Sequence, residues 1–261
     1  PLEALRGGDL REIRMQAIEK LNRLNLSTTL VVTLQRGVND GEIGAIIDYA
    51  LAQRCVRGIT FQPVQAAGRL DGYDDGVHRL TLSEVRRRIL EQSPLFAPED
   101  LVPVPCHADA LCMGYALKGA DGSRTAVPLT GLVGRDTLLD RARNTIVLEK
   151  DPAMRAAFVG LFSTAVGSDK APARLAELLC CIPKAAVPGG IGYDRLFRVL
   201  ILEFADAHSF DVRSIKKTCI HIVQPDGRLI PFDTFNLFYR GDLESTRLGP
   251  LRAWAERSRN A

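Results

Sequence analysis

The sequence predicts an α/β protein: the second half of a partial β/α (TIM-like) barrel, followed by an α+β cysteine-containing accessory domain. Three observations predict it. Two β-branched runs, Thr28–Leu34 and Val56–Val64, lie about 22 residues apart, a gap that a parallel pair spans only with a helical crossover. The residues between them carry apolar side chains at helical spacing. Beyond residue 93 the pattern changes to prolines, short strand signals and most of the cysteines.

The chain opens on Pro1, and residues 1–8 run into a helix without a targeting signal, so the sequence is expected to be an internal fragment of a cytoplasmic protein. Asp9 and Glu12 match a capping box, and Leu10, Ile13, Met15, Ile18, Leu21 and Leu24 predict one apolar helix face. Residues 28–34 have little polar interruption, as expected of a strand buried on both sides. A Gly-Val-Asn-Asp turn follows, with Asn39 or Asp40 placed to cap a helix that buries Ile43, Ile46, Ile47, Ala50 and Leu51. Strand 56–64 closes the unit.

In a barrel or an open parallel sheet, ligands meet the carboxyl ends of the strands and the loops beyond them. Those ends carry Gln35, Arg36 and Asn39 after the first strand, and Gln62, Gln65 and Arg69 after the second. These are the candidate contacts. Asn39 and Gly37 are equally explained as turn formers, and Arg36 and Arg69 as solvated cations. The helix opened by the capping box Thr81/Glu84 buries Val85, Ile89 and Leu90, which leaves Arg86, Arg87 and Arg88 as a solvated face. Asp71, Asp74 and Asp75 around Tyr73 read as a solvated, glycine-flanked loop.

A boundary is expected near residue 93, dividing a barrel half (1–93) from an accessory domain (94–261). Residues 93–106 hold four prolines in fourteen positions, which excludes helix and central strand and implies an extended, tied-down connection. Downstream, 126–133 reads as a short strand, and Asp151-Pro152 opens a helix to about Ser163. Ala171–Cys181 and the strongly apolar Tyr193–Ala207 read as two further helices. Residues 219–223 and 229–232 predict a hairpin about Pro225-Asp226-Gly227.

Composition narrows the function classes. With 261 residues, 46% hydrophobic and 25% charged, the chain can bury one large core or two smaller ones. No apolar run reaches membrane-spanning length, so no transmembrane segment is expected. A net charge of +3 with interspersed signs predicts no nucleic-acid footprint. No Gly-x-Ser-x-Gly elbow, phosphate-cradling loop or His-Glu-x-x-His is present.

Of the six cysteines, Cys55 reads as a packed thiol at the foot of its strand. Cys106, Cys112, Cys180, Cys181 and Cys219 lie outside the barrel half and are candidate metal ligands, because soft thiolates converging from several loops are what an iron-sulfur cluster requires. Alternation puts Cys219 and His221 on one strand face. Buried free thiols explain the set nearly as well, and no zinc spacing is present.

Val32-Thr-Leu-Gln-Arg-Gly-Val-Asn-Asp-Gly-Glu-Ile43, Val56-Arg-Gly-Ile-Thr-Phe-Gln-Pro-Val64 and Gly68-Arg69 resemble the later strands of a radical S-adenosylmethionine (SAM) barrel. The ordered series Gln-Pro-Val, Gly-Arg, Pro103-Val-Pro-Cys106, Asp226-Gly-Arg-Leu-Ile-Pro-Phe232 and Asn236-Leu-Phe-Tyr-Arg240 is most similar to the subgroup that includes tetraether lipid synthase and the archaeal pterin-linked methyltransferase-like proteins.

The resemblance implies a radical SAM enzyme that forms a 5'-deoxyadenosyl radical to functionalise an unreactive C–H bond. It further implies SAM and a 4Fe-4S cluster as cofactors, a small-molecule or lipid-like substrate, and an electron donor such as ferredoxin or flavodoxin. Gln62, before Pro63, matches a SAM-contacting position in the molybdenum cofactor enzyme of this superfamily. Asn39 and Arg69 join it as expected cofactor contacts.

Three features depart from the family pattern. Thr29 stands in the region where that enzyme has a substrate-binding lysine, and Asp233 stands where several subgroup members have a cysteine. The Cys-x-x-x-Cys-x-x-Cys motif that holds the radical SAM cluster is absent from the chain and is expected upstream of Pro1, so this polypeptide alone is expected not to cleave SAM. The alternative is a non-catalytic scaffold or metal-binding protein that retains half of the barrel.

Overall fold

A computed structural model describes residues 2–67, 72–104, 107–119, 126–128, 130, 195–218 and 220–240. The chain forms two units, the first comprising 1–64 with 78–203 and the second 65–77 with 204–261.

The first unit is built on an open mixed sheet in the order β1-β2-β6-β4-β3, with β5 also paired to β4. Its strands are β1 (Thr28–Leu34), β2 (Val56–Pro63), β3 (Val102–Pro103), β4 (Leu111–Lys118), β5 (Ala126–Pro128) and β6 (Leu196–Leu202). β1, β2 and β6 run parallel, and β4 pairs antiparallel with β6, β3 and β5. The parallel β1-β2 pair with its intervening helix α3 (Ile43–Ala52) is the expected crossover unit, and the mixed α/β architecture is compatible with part of an α/β barrel.

One sheet face is apolar because alternate residues of each strand point the same way. Leu34, Ile59, Phe61, Cys112, Ala116, Phe197, Val199 and Ile201 meet Ile43, Ile47 and Leu51 of α3, and Val85 and Ile89 of α5 (Leu82–Gln92). α3 and α5 approach closely at Gly44, where an added Cβ would stand 2.2 Å from the Gln92 carbonyl oxygen. α5 starts with the expected capping box: the Thr81 hydroxyl accepts from Glu84 N and the Glu84 carboxylate accepts from Thr81 N.

Several expectations are corrected. The capping box of α2 (Arg11–Leu24) does not form; Asp9 grips the Arg11 guanidinium instead, and the pair holds the Asp9 carboxyl down at about 2. Only Ile18 and Leu21 of that helix pack on the core, whereas Ile13, Met15 and Leu24 are exposed. Among the described residues β1 ends the sheet order, and Val31 on its outer face is 55% exposed, so the strand is not buried on both faces.

Within the apolar stretch 193–207, expected to be helical, Leu196–Leu202 form the strand β6, seated between β2 and β4. Its Phe197, Val199 and Ile201 point into the core with period two, which a helix cannot reproduce. The sheet continues across residue 93, with β3, β4, β5 and β6 all following it in the chain. The arginine cluster is also only partly solvated. Arg86 donates to the carbonyls of Leu101 and Pro98, tying down the proline-rich segment, and Arg88 pairs with Asp40 at 2.8 Å; Arg87 alone stays exposed.

In the second unit β7 (His221–Val223) and β8 (Leu229–Pro231) form the expected hairpin, with Gly227 at φ 82° in its turn. Phe204 packs on Phe232 with ring centroids 4.8 Å apart, and Phe210 meets Phe238 edge-on. The helices expected at 151–163 and 171–181 lie outside the described residues. Among the described residues no helix is long and apolar enough to cross a membrane.

Candidate functional site

The sheet face opposite α3 and α5 differs in chemistry from the core face. Register places Thr29, Gly58, Arg198 and Tyr115 in one row across four strands, Val31, Thr60, Leu200 and Met113 in the next, and Thr33 beside Gln62 at the carboxyl ends of β1 and β2. Polar side chains in a parallel sheet interior are costly unless they meet partners or ligands, so this face is the one suited to a polar ligand. Gly58 permits the close pairing with β6, since an added Cβ there would lie 2.6 Å from the Arg198 carbonyl oxygen.

Gln62 stands at the top of that face. It is half-buried, follows the fully buried Phe61, and its amide has no hydrogen-bond partner among the described residues. Thr33 beside it accepts from Arg6 Nη2 at 3.2 Å, and Thr60 one step below is buried. The arrangement offers an amide that can both donate and accept.

Asn39 has a different setting. Its Oδ1 accepts from Gln35 N at 3.0 Å and its Nδ2 donates to the Thr33 carbonyl at 2.8 Å, so the buried amide locks the turn after β1, with Gly37 in the left-handed region at φ 75°. Asp40 accepts from Gly37 N, and Arg36 reaches the Arg79 carbonyl and Glu84. This loop is a rigid platform whose polar side chains bind one another. Arg69 lies outside the described residues.

The cysteines divide in the same way. Cys55 is the buried thiol expected. Cys112, expected as a metal ligand, is turned by β4 into the core, where it is fully buried and burial pushes its thiol up to about 11 against a smaller lowering by Arg86. A protonated core thiol is a poor ligand, because the thiolate is the binding form. Cys106, Cys180, Cys181 and Cys219 lie outside the described residues. Among the described residues no group of three or more His, Cys, Asp or Glu side chains is placed to hold a metal ion.

Within the second unit two buried carboxylates organise the loops. Asp206 is fully buried and accepts from Ala66 N, His208 N, Ser209 N and the Ser209 hydroxyl, at 2.9–3.1 Å. Asp233 accepts from Ala205 N at 2.6 Å and from the Thr218 hydroxyl at 3.1 Å. Both of its oxygens are thus engaged by the protein. Gln65 is half-buried, but its Nε2 atom is fully buried and makes no hydrogen bond. Sequence reading missed Asp206, although Asp206-Ala-His-Ser209 is a legible turn signature in which an aspartate receives the amides that follow it.

No protein-family model matches the chain. It is similar to the 7,8-dihydro-6-hydroxymethylpterin dimethyltransferase of Methanocaldococcus jannaschii, with 29% identity over 290 aligned positions that take in 97% of this chain and 57% of that protein. The chain thus spans little more than half the length of this curated relative, whose name describes a methyltransferase acting on a pterin.

Proposed function

We propose that this chain is part of a SAM-dependent enzyme of the radical SAM kind that methylates a small heterocyclic substrate, with a reduced pterin as the first candidate. The observation that carries the reading is the similarity over 97% of the chain to a pterin dimethyltransferase. The half-buried Gln62 amide beside Thr33, at the carboxyl ends of parallel strands, adds a site suited to a polar cofactor.

An iron-sulfur cluster, if held by the complete protein, would supply one-electron reduction of SAM and thereby the means to activate an unreactive C–H bond. Gln62 is the residue assigned to SAM, and its amide can hold either a donor or an acceptor of that molecule. Asn39 is assigned an indirect role, holding the loop after β1 through the Thr33 carbonyl. The described residues do not fit a cluster: Cys112 is a core thiol, and both Asp233 oxygens already receive hydrogen bonds. Cluster ligation is assigned to residues outside the described set.

Anaerobic purification of the complete gene product, with iron and sulfide analysis and incubation with SAM, dithionite and 7,8-dihydro-6-hydroxymethylpterin, tests the reading. The expected result is a brown iron-sulfur protein that forms methylated pterin. A colourless, iron-free protein that leaves SAM and pterin unchanged favours the scaffold alternative.

A further inference from the structure

One row of the sheet face that carries Gln62 holds a charge that the assignment of Gln62 does not use. Thr29, Gly58, Arg198 and Tyr115 stand side by side on β1, β2, β6 and β4, all within the first unit. Gly58 raises no side chain above the sheet, so a notch separates Thr29 from Arg198, about 10 Å across from strand to strand, with Thr60 at its upper end. The backbone keeps the notch empty of side chain: a Cβ at position 58 would meet the Arg198 carbonyl oxygen at 2.6 Å and the Arg198 Cβ at 3.4 Å. Arg198 is half-buried, so part of it is accessible from outside. Among the described residues the strands put no carboxylate on this face, whereas Arg198 lies on it and Arg6 reaches its upper end at the Thr33 hydroxyl.

We propose that Arg198 binds the anionic group, a carboxylate or a phosphate, of a ligand that lies down the sheet face from Gln62. The guanidinium selects that class, because its planar fork of five N–H donors matches paired oxygens and exceeds what one protein partner can accept. Burial of Thr60 and Met113 in the row above keeps water away and strengthens such a pair. Position agrees: Gly58 precedes Gln62 by four residues, about 13 Å along β2, so one elongated molecule can meet the amide at one end and the guanidinium at the other. The inference rests on the proposed function, in which the anion has two possible sources: the amino-acid carboxylate of SAM, or an acidic substituent on the heterocyclic substrate.

The test is calorimetric titration of the complete gene product, purified anaerobically, and of its Arg198→Met and Arg198→Gln variants. Met keeps the apolar stem and Gln keeps a polar tip, so the two stress the fold differently, and a thermal melt accompanies each. The probes are SAM, 7,8-dihydro-6-hydroxymethylpterin and the phosphate ester of that pterin. Both variants are expected to bind SAM or the phosphate ester about 10- to 100-fold more weakly, the loss of a charge-assisted contact, and to bind the uncharged pterin as the wild type does. The anionic probe affected identifies the source. Unchanged affinities for all three probes overturn the proposal and leave the proposed function intact. An equal loss for charged and uncharged probes, or a lowered melting temperature with affinities retained, shows a structural arginine and also overturns it. Wild-type protein that binds none of the three overturns both readings.

Discussion

Thr33 and Gln62 are register partners in the parallel pairing of β1 with β2, so their side chains stand next to each other on the face away from α3 and α5. The Thr33 hydroxyl is engaged by Arg6, whereas the Gln62 amide has no partner among the described residues. A half-buried amide in that state contributes little to folding and is available to a ligand. Gln62→Leu is therefore expected to keep the wild-type melting temperature and to bind SAM about tenfold more weakly, the loss of one neutral hydrogen bond. Titration calorimetry together with a thermal melt checks both halves; an unchanged affinity removes Gln62 from the site.

Cys112 is expected to contribute to packing and not to metal binding. With its thiol pushed up to about 11, the thiolate is on the order of one molecule in ten thousand at pH 7. A thiol reagent should modify Cys112 only when the protein unfolds. Cys112→Ala should lower stability by roughly 1 kcal/mol through the small void it leaves, and iron per chain should not change. A drop in iron content on this substitution would return Cys112 to the ligand set.

The crossover unit β1-α3-β2 was legible because periodicity, turn chemistry and spacing agreed there. The Thr81/Glu84 box was legible for the same reason, since its bonds are local and its residue types are specific. β6 was not. Leu196-Phe-Arg-Val-Leu-Ile-Leu202 is a short apolar run that fits a buried helix or a buried strand, and its neighbours β2 and β4 lie far away in sequence. The arginines of α5 failed differently: charge suggested solvent, but Arg86 and Arg88 find carbonyls and Asp40 that only the fold brings near. Among the site residues, Gln62 was placed by its strand end. Asn39 is legible both as a ligand contact and as a turn former, and its amide closes on the Thr33 carbonyl and Gln35 N as a turn former's does.

Thr81→Ala removes the hydroxyl that accepts from Glu84 N and donates to the Glu84 carboxylate, leaving that carboxylate only the backbone N–H of residue 81 within the box. Caps of this kind contribute about 1 kcal/mol, so the urea midpoint should fall by a corresponding amount. Because Glu84 also binds Arg36 at 2.5 Å, the loop after β1 should exchange its amide hydrogens faster, which hydrogen-exchange mass spectrometry can read at residues 35–40. A shift in stability without faster exchange there would show that the clamp acts on the helix alone.

Lys118 gives the chain a defined response to pH. At the end of β4 its Nζ is buried and donates to the carbonyls of Ala50, Gln53 and Val56, at 3.2, 2.9 and 2.7 Å, while lying 5.2 Å from the Phe197 ring centroid. Burial, reinforced by the nearby Arg57, outweighs these contacts and lowers the amine from 10.5 to about 8. Between those two values the unfolded chain holds the proton and the folded chain has released it, so the unfolded state binds more protons and stability rises with pH. Below about 8 and above 10.5 this contribution is flat. Lys118→Met should remove the rise and cost roughly 1 kcal/mol by taking the Nζ donor from the carbonyl oxygens of Ala50, Gln53 and Val56, of which the first two keep a backbone donor. Urea unfolding of both proteins at pH 7.5 and pH 9.5 isolates the effect. The difference between wild type and variant should grow at the higher pH, and a constant difference would show that the ammonium titrates at its ordinary value in the folded protein.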